Sequence, residues 1–126
     1  MKKLKKQRWF YMTKEQRRDE LLIQDMIEAI DHTFDFVKNV TRDEFENNYE
    51  KQSAIIRQFE IIGEAATKIS NQMKQDNREI EWKDIIGMRN KMIHDYFEIN
   101  LVVVWDTVRD DLPKYKSQIE KILEKL

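Results

Sequence analysis

The stretch Ile55-Ile56-Arg57-Gln58-Phe59-Glu60-Ile61-Ile62-Gly63-Glu64-Ala65-Ala66-Thr67-Lys68-Ile69-Ser70-Asn71-Gln72-Met73 decides the fold class. Its apolar residues Ile55, Phe59, Ile62, Ala66, Ile69 and Met73 step by fours and threes. At about 3.6 residues per turn, that spacing draws one stripe along a helix, whereas a half-buried strand would alternate with period two. Gly63 lies inside this helix, where glycine is unfavourable by roughly 1 kcal/mol relative to alanine. A close approach by a neighbouring helix is the expected compensation.

Toward the N-terminus, Thr13 and Gln16 have the spacing of a capping box, and Leu22, Met26, Ile30, Phe34 and Val37 follow at helical intervals. They predict a first helix over about 13–39. Thr41 and Glu44 repeat the capping pattern, which predicts a short helical turn carrying Phe45 before the long stripe begins. Toward the C-terminus, the polar stretch 71–79 reads as a loop. Trp82, Ile85, Ile86 and Met88 then open a third helical segment that runs on through Arg89 to Tyr96. Asn100 is placed to cap a last helix with the stripe Leu101, Trp105, Val108, Leu112, Tyr115, Ile119, Ile122 and Leu126. The β-branched run 102–104 sits inside that longer period, so helix is expected there too. Pro113 removes a backbone hydrogen bond and crowds the carbonyl of Arg109, which predicts a kink or break.

Four amphipathic segments with short connections predict an all-α protein, an antiparallel up-and-down bundle of four to five helices. Composition agrees: 37% charged residues, 40% hydrophobic, two glycines and one proline suit solvated helices better than turn-rich β structure. The 126 residues suffice for one core, expected to be a helical domain over 19–126 preceded by a basic arm over 1–18. With no cysteine, neither a disulfide framework nor a thiolate metal site is available. The apolar runs fall far short of the roughly 20 residues that span a bilayer, so the expectation is a cytoplasmic protein without a membrane segment. Charge is uneven: residues 1–18 carry eight Lys/Arg against Glu15, leaving the remainder strongly acidic within a net charge of -1. The arm, which includes Trp9, Phe10 and Tyr11, has three open readings: a solvated tail, a nucleic-acid arm, or an extension upstream of a natural start at Met12.

Chemistry-bearing residues gather in Gly87-Met88-Arg89-Asn90-Lys91-Met92-Ile93-His94-Asp95-Tyr96, where an arginine, an amide, an imidazole and a phenol fall close together. The other histidine, His32, has no comparable company and reads as a surface or boundary residue. On one straight helix Asn90 and His94 would share a face, but Arg89 would lie about 140° from His94 around the axis at about 100° per residue. The pair converges if the segment is irregular near Gly87, or if a two-fold axis brings in a second chain. Such a cleft suits metal-free RNA cleavage. Histidine serves as base or acid near neutral pH, and arginine binds the phosphate through a bidentate contact. The spacing by itself fits better an arginine paired with a surface carboxylate and a histidine at a helix end. Glu64, beside Gly63, is a candidate supporting group. No phosphate loop, His-Glu-x-x-His pair, nucleophile elbow or other metal-ligand set is present, so no cofactor and no metal are expected.

The string 85–97 resembles the Arg-x-x-x-x-His-x-Tyr signature of HepT-like toxins in the HEPN superfamily. Two further blocks are similar and in the same order: Arg57 to Ala65, and Val104-Trp105 with Asp111-Leu112-Pro113. The resemblance spans about residues 19–126, and three blocks in register are far more specific than one Arg/His pair. It implies a helical bundle, a homodimer whose shared cleft is lined by the Arg and His of both chains, and a metal-independent endoribonuclease activity. It further implies a minimal nucleotidyltransferase antitoxin that transfers AMP from ATP to the signature tyrosine. Carried over by position, Arg89 and His94 become catalytic, Asn90 supports them, and Tyr96 is the modification target. The alternative from another class is a non-catalytic helical module that pairs with a nucleotidyltransferase. A general RNA-binding protein led by the basic arm is a third.

Overall fold

A computed structural model describes residues 9–88, 90 and 98–125, together with the backbone of Ile93 and His94. The described chain is an all-α bundle, as the stripes predict. Helix α1 spans Lys14–Val37, α2 Arg42–Glu46, α3 Tyr49–Lys68, α4 Asn71–Asp76, α5 Trp82–Ile86, α6 Leu101–Asp106 and α7 Leu112–Lys125. A π-helical turn, Thr107–Asp111, joins the last two.

The capping signals act where the sequence places them. Thr13 accepts from the Gln16 N–H at 3.1 Å, and its own N–H donates to Gln16 Oε1 at 2.9 Å, which closes the box at the start of α1. Thr41 Oγ1 accepts from the Glu44 N–H at 3.1 Å to open α2, and the Asn100 side chain accepts from the Val103 N–H at 3.1 Å to open α6. Helix α1 ends where Asn39 takes φ 59, the left-handed conformation that asparagine tolerates.

Cross-links at both ends show that α1 and α3 run antiparallel. Lys51 near the start of α3 donates to the Phe36 carbonyl at the end of α1, at 3.0 Å. At the opposite end, buried Asp19 accepts from the Ser70 N–H at 2.9 Å and from its hydroxyl at 2.5 Å. Helix α7 lies along α1, with Lys116 paired to Asp31 at 2.6 Å. The core between them is fully buried Ile23, Met26, Ile30, Ile55, Phe59, Ile62, Leu112 and Ile119, all positions of the sequence stripes except Ile23, which takes the core place expected of the partly buried Leu22. Burying each such side chain contributes about 1.5–3 kcal/mol. Phe45 of α2 packs on Trp105 of α6 with ring centroids 5.3 Å apart.

Two expectations need correction. Residues 71–76 are not loop but the short helix α4, because Ser70 caps it by accepting from the Met73 N–H at 3.2 Å. The third helical segment does not run on to Tyr96. Helix α5 stops at Ile86, where the Gly87 N–H closes back on Lys83 and Ile85. Helical conformation recurs at Met88 and Asn90, and Ile93–His94 then pairs antiparallel with Glu98–Ile99, with Ile93 opposite Ile99 and His94 opposite Glu98. Asn90 and His94 therefore do not share one helix face. Next to Pro113 the α-helix is interrupted, as the sequence predicts, and the interruption is a π turn over Thr107–Asp111, wider by one residue, the Leu112 N–H reaching the Thr107 carbonyl, which accommodates the crowding that proline imposes on the preceding turn.

Candidate functional site

The signature segment is bracketed by two anchored points. On its N-terminal side, α5 lies against α3 at Gly63: a Cβ there would stand 3.2 Å from the Ile86 carbonyl oxygen and 3.5 Å from that of Ile85. The expected close approach is thus real, and the neighbour is the helix that leads into the signature. Met88, buried in the core cluster, fixes the chain immediately before Arg89. On the C-terminal side, Glu98–Ile99 runs directly into Asn100 and its cap on α6.

Between these points the structure places the backbone of His94 opposite Glu98, and Asn90 is exposed. Arg89 and Tyr96 lie outside the described residues, as does the side chain of His94. Glu98 is an addition that sequence reasoning missed. Its carboxylate belongs to a residue in direct register with the histidine, and no Asn-Gly or Asp-Gly turn signal lies between them to announce the pairing. Ile99 and Val102, just beyond, are large apolar residues left exposed.

Elsewhere the weaker candidates resolve toward structure. His32 is on the surface, 3.8 Å from Glu28 one turn earlier. Glu64 is exposed and faces Lys68 at 3.5 Å, an ordinary helix-surface pair. Among the described residues no three His, Cys, Asp or Glu side chains cluster as a metal site. No described helix is long and apolar enough to cross a membrane. Close to α5, Lys114 pairs with Glu81 at 2.9 Å, and the hydrogen bond holds its ammonium above the usual range. Next to it, burial pushes the Tyr115 phenol up to about 12, helped by the negative charges of Asp111, Asp84 and Glu81.

The model of the HepT-like family, described as Ribonuclease HepT-like, matches residues 26–122. The chain belongs to that family. The match includes α5, the paired strands and α6, and so contains the whole bracketed segment. Among similar proteins, one from Thermococcus cleftensis named "Probable ribonuclease HepT" is 38% identical over 100 residues, covering 79% of this chain and 91% of that protein. Another, from Methanocaldococcus jannaschii and named "Putative RNase MJ1380", is 38% identical over 96 residues, covering 76% of this chain and 88% of its own length. A bacterial relative from Caldanaerobacter subterraneus, "Putative RNase TTE0752", is 29% identical over 103 residues and 92% covered. No solved structure matches the chain. The HepT-like match begins well inside α1, so residues 9–25 are described structurally but stand outside it.

Proposed function

We propose that this chain is a metal-independent endoribonuclease, the toxin of a toxin-antitoxin pair, and that Arg89, Asn90, His94 and Tyr96 carry its chemistry and its control. The family match over 26–122 is the observation that carries this reading, since it contains all four positions and the anchors on either side of them.

In the mechanism this reading assigns, the substrate's own 2′-hydroxyl attacks the adjacent phosphorus. The bond from the 2′-oxygen to phosphorus forms and the bond to the 5′-oxygen breaks, leaving a 2′,3′-cyclic phosphate and a 5′-hydroxyl. One imidazole takes the 2′ proton, and a second, from the other chain of a homodimer, gives a proton to the leaving 5′-oxygen. The paired Arg89 side chains bind the phosphate and stabilise the charge that grows on it. Asn90, which is exposed, is available to orient the phosphate or the imidazole. Tyr96 is the switch. Its phenolic oxygen attacks the α-phosphate of ATP held by a minimal nucleotidyltransferase antitoxin, pyrophosphate leaves, and the attached AMP sets a bulky anion where the RNA phosphate binds.

One experiment tests toxicity and control together. Induced wild-type protein arrests bacterial growth and His94→Ala does not. Co-expression of the cognate nucleotidyltransferase relieves arrest and adds AMP at Tyr96, mapped by peptide mass, whereas Tyr96→Phe stays toxic in its presence. Equal growth of wild type and His94→Ala, both soluble, would instead favour a non-catalytic partner module. Silencing of Tyr96→Phe as complete as that of wild type would remove Tyr96 from the scheme.

A further inference from the structure

Ahead of α1, residues 9–11 form one helical turn, and the Met12 N–H closes it on the Trp9 carbonyl at 3.2 Å. Arg17 of α1 ties this turn down. Its Nε donates to the Trp9 carbonyl at 2.9 Å, a terminal nitrogen donates to the Phe10 carbonyl at 3.0 Å, and the guanidinium lies 6.0 Å from the centre of the Trp9 ring. Trp9 is half-buried by this arrangement, while Phe10 and Tyr11 stand 82% and 88% exposed. Two adjacent rings are thus held out in water by a turn that is itself hydrogen-bonded in place. Core packing does not account for them.

The charge around them is mostly positive, with Glu15 the acidic residue of the first turn of α1. Lys14 and Arg18 are exposed, one turn apart on α1, and neither has an ion-pair partner among the described residues. Residues 1–8 add five further Lys/Arg in sequence. Exposed rings beside unpaired cations have the makeup of a single-strand platform, in which bases stack on the rings and phosphates meet the cations. Duplex RNA offers its phosphates but keeps its base faces stacked and covered.

We propose that Phe10, Tyr11, Lys14 and Arg18 form an auxiliary binding platform for single-stranded RNA, gripping the substrate outside the cleaving segment. The choice of RNA rests on the ribonuclease reading, but the contact chemistry does not. The region lies before the family match, which begins at residue 26.

The test uses the full chain and a labelled 2′-O-methyl oligouridylate, which 2′-hydroxyl attack cannot cleave, as a single strand and as a duplex with its complement. Anisotropy titrations should show Phe10→Ala/Tyr11→Ala weakening the single strand about tenfold, about 1.4 kcal/mol, with the salt slope unchanged. Tyr11→Phe keeps the ring and should keep the affinity. Lys14→Gln/Arg18→Gln should reduce the salt slope by about 1.4, at about 0.7 per phosphate contact. Binding by Phe10→Ala/Tyr11→Ala within twofold of wild type would overturn the proposal. An equal loss on single strand and duplex would do the same. So would unchanged RNA affinity with a lost oligomer in sedimentation, since the rings would then join copies of the chain. Ring-dependent binding by a wild-type protein that cleaves no RNA would support the platform and remove only the ribonuclease reading.

Discussion

Gly63 carries no side chain, and the Ile86 carbonyl oxygen occupies the space beside it. A substitution there sets two effects against each other. Alanine gains roughly 1 kcal/mol of helix propensity while its Cβ presses α5 at 3.2 Å; a branched side chain meets backbone that cannot turn aside. Gly63→Leu is therefore expected to lower stability by about 1–3 kcal/mol in urea unfolding, as overpacking does. It should also lower RNA cleavage by more than the unfolded fraction explains, because α5 leads into Arg89. The glycine's cost was legible in the sequence, and so was the need for a close neighbour, but not which neighbour. Asp19 and Ser70 make the limit plainer: their bonds join residues 51 apart, and no local pattern announces such a pair. At the site itself, the sequence displayed Arg89, Asn90, His94 and Tyr96 as types in a row. Glu98 opposite His94 became visible only through strand register.

Among the elements, those with a long stripe and a cap were read correctly. Helix α1 has both, α3 has the stripe but ends at Lys68, short of the Ile69 and Met73 assigned to it, and the continuous helical reading of 102–104 held because Val104 and Trp105 keep the period of the stripe that follows. Where the stripe was missing the reading failed. Helix α4 buries none of its residues, so its signals were the Ser70 cap and Met73, which the sequence stripe assigns to the helix before it. The segment after Gly87 failed for the opposite reason: apolar residues continued at near-helical spacing, but the chain leaves the helix and returns as a two-residue ladder. For the proposed chemistry, the backbone of His94 is held in the ladder, and the cap on α6 follows directly after it. Asn100→Ala removes the acceptor for the Val103 N–H and is expected to cost about 1 kcal/mol of stability, a normal N-cap loss. Cleavage should fall along with it under conditions where the variant remains fully folded by circular dichroism. Full activity in a folded Asn100→Ala protein would show that the α6 end does not position the histidine.

The whole bundle should show an alkaline limit set by Tyr115, which is only 2% exposed. Its phenol is raised to about 12 in the fold against 10.0 for an ordinary tyrosine, so the folded chain holds its proton where the unfolded chain has lost it. Stability from this group is fully present below about pH 10 and is lost as pH rises through about 12. Tyr115→Phe should flatten that arm of a stability-pH curve measured by denaturant unfolding, and the phenolate absorbance present in wild type but missing from Tyr115→Phe should rise only near the upper end. Assembly and catalysis also belong to this scale, since the proposed cleft takes an Arg89 and a His94 from each of two chains. The most direct measurement is cleavage of a defined single-stranded RNA by purified wild type, Arg89→Ala and His94→Ala in excess chelator, with the product ends identified by mass. The account predicts cleavage by wild type alone, giving 2′,3′-cyclic phosphate and 5′-hydroxyl ends, with both variants folded and inactive. Undiminished cleavage by either variant, or wild-type activity that vanishes with the chelator and returns with magnesium, would contradict it.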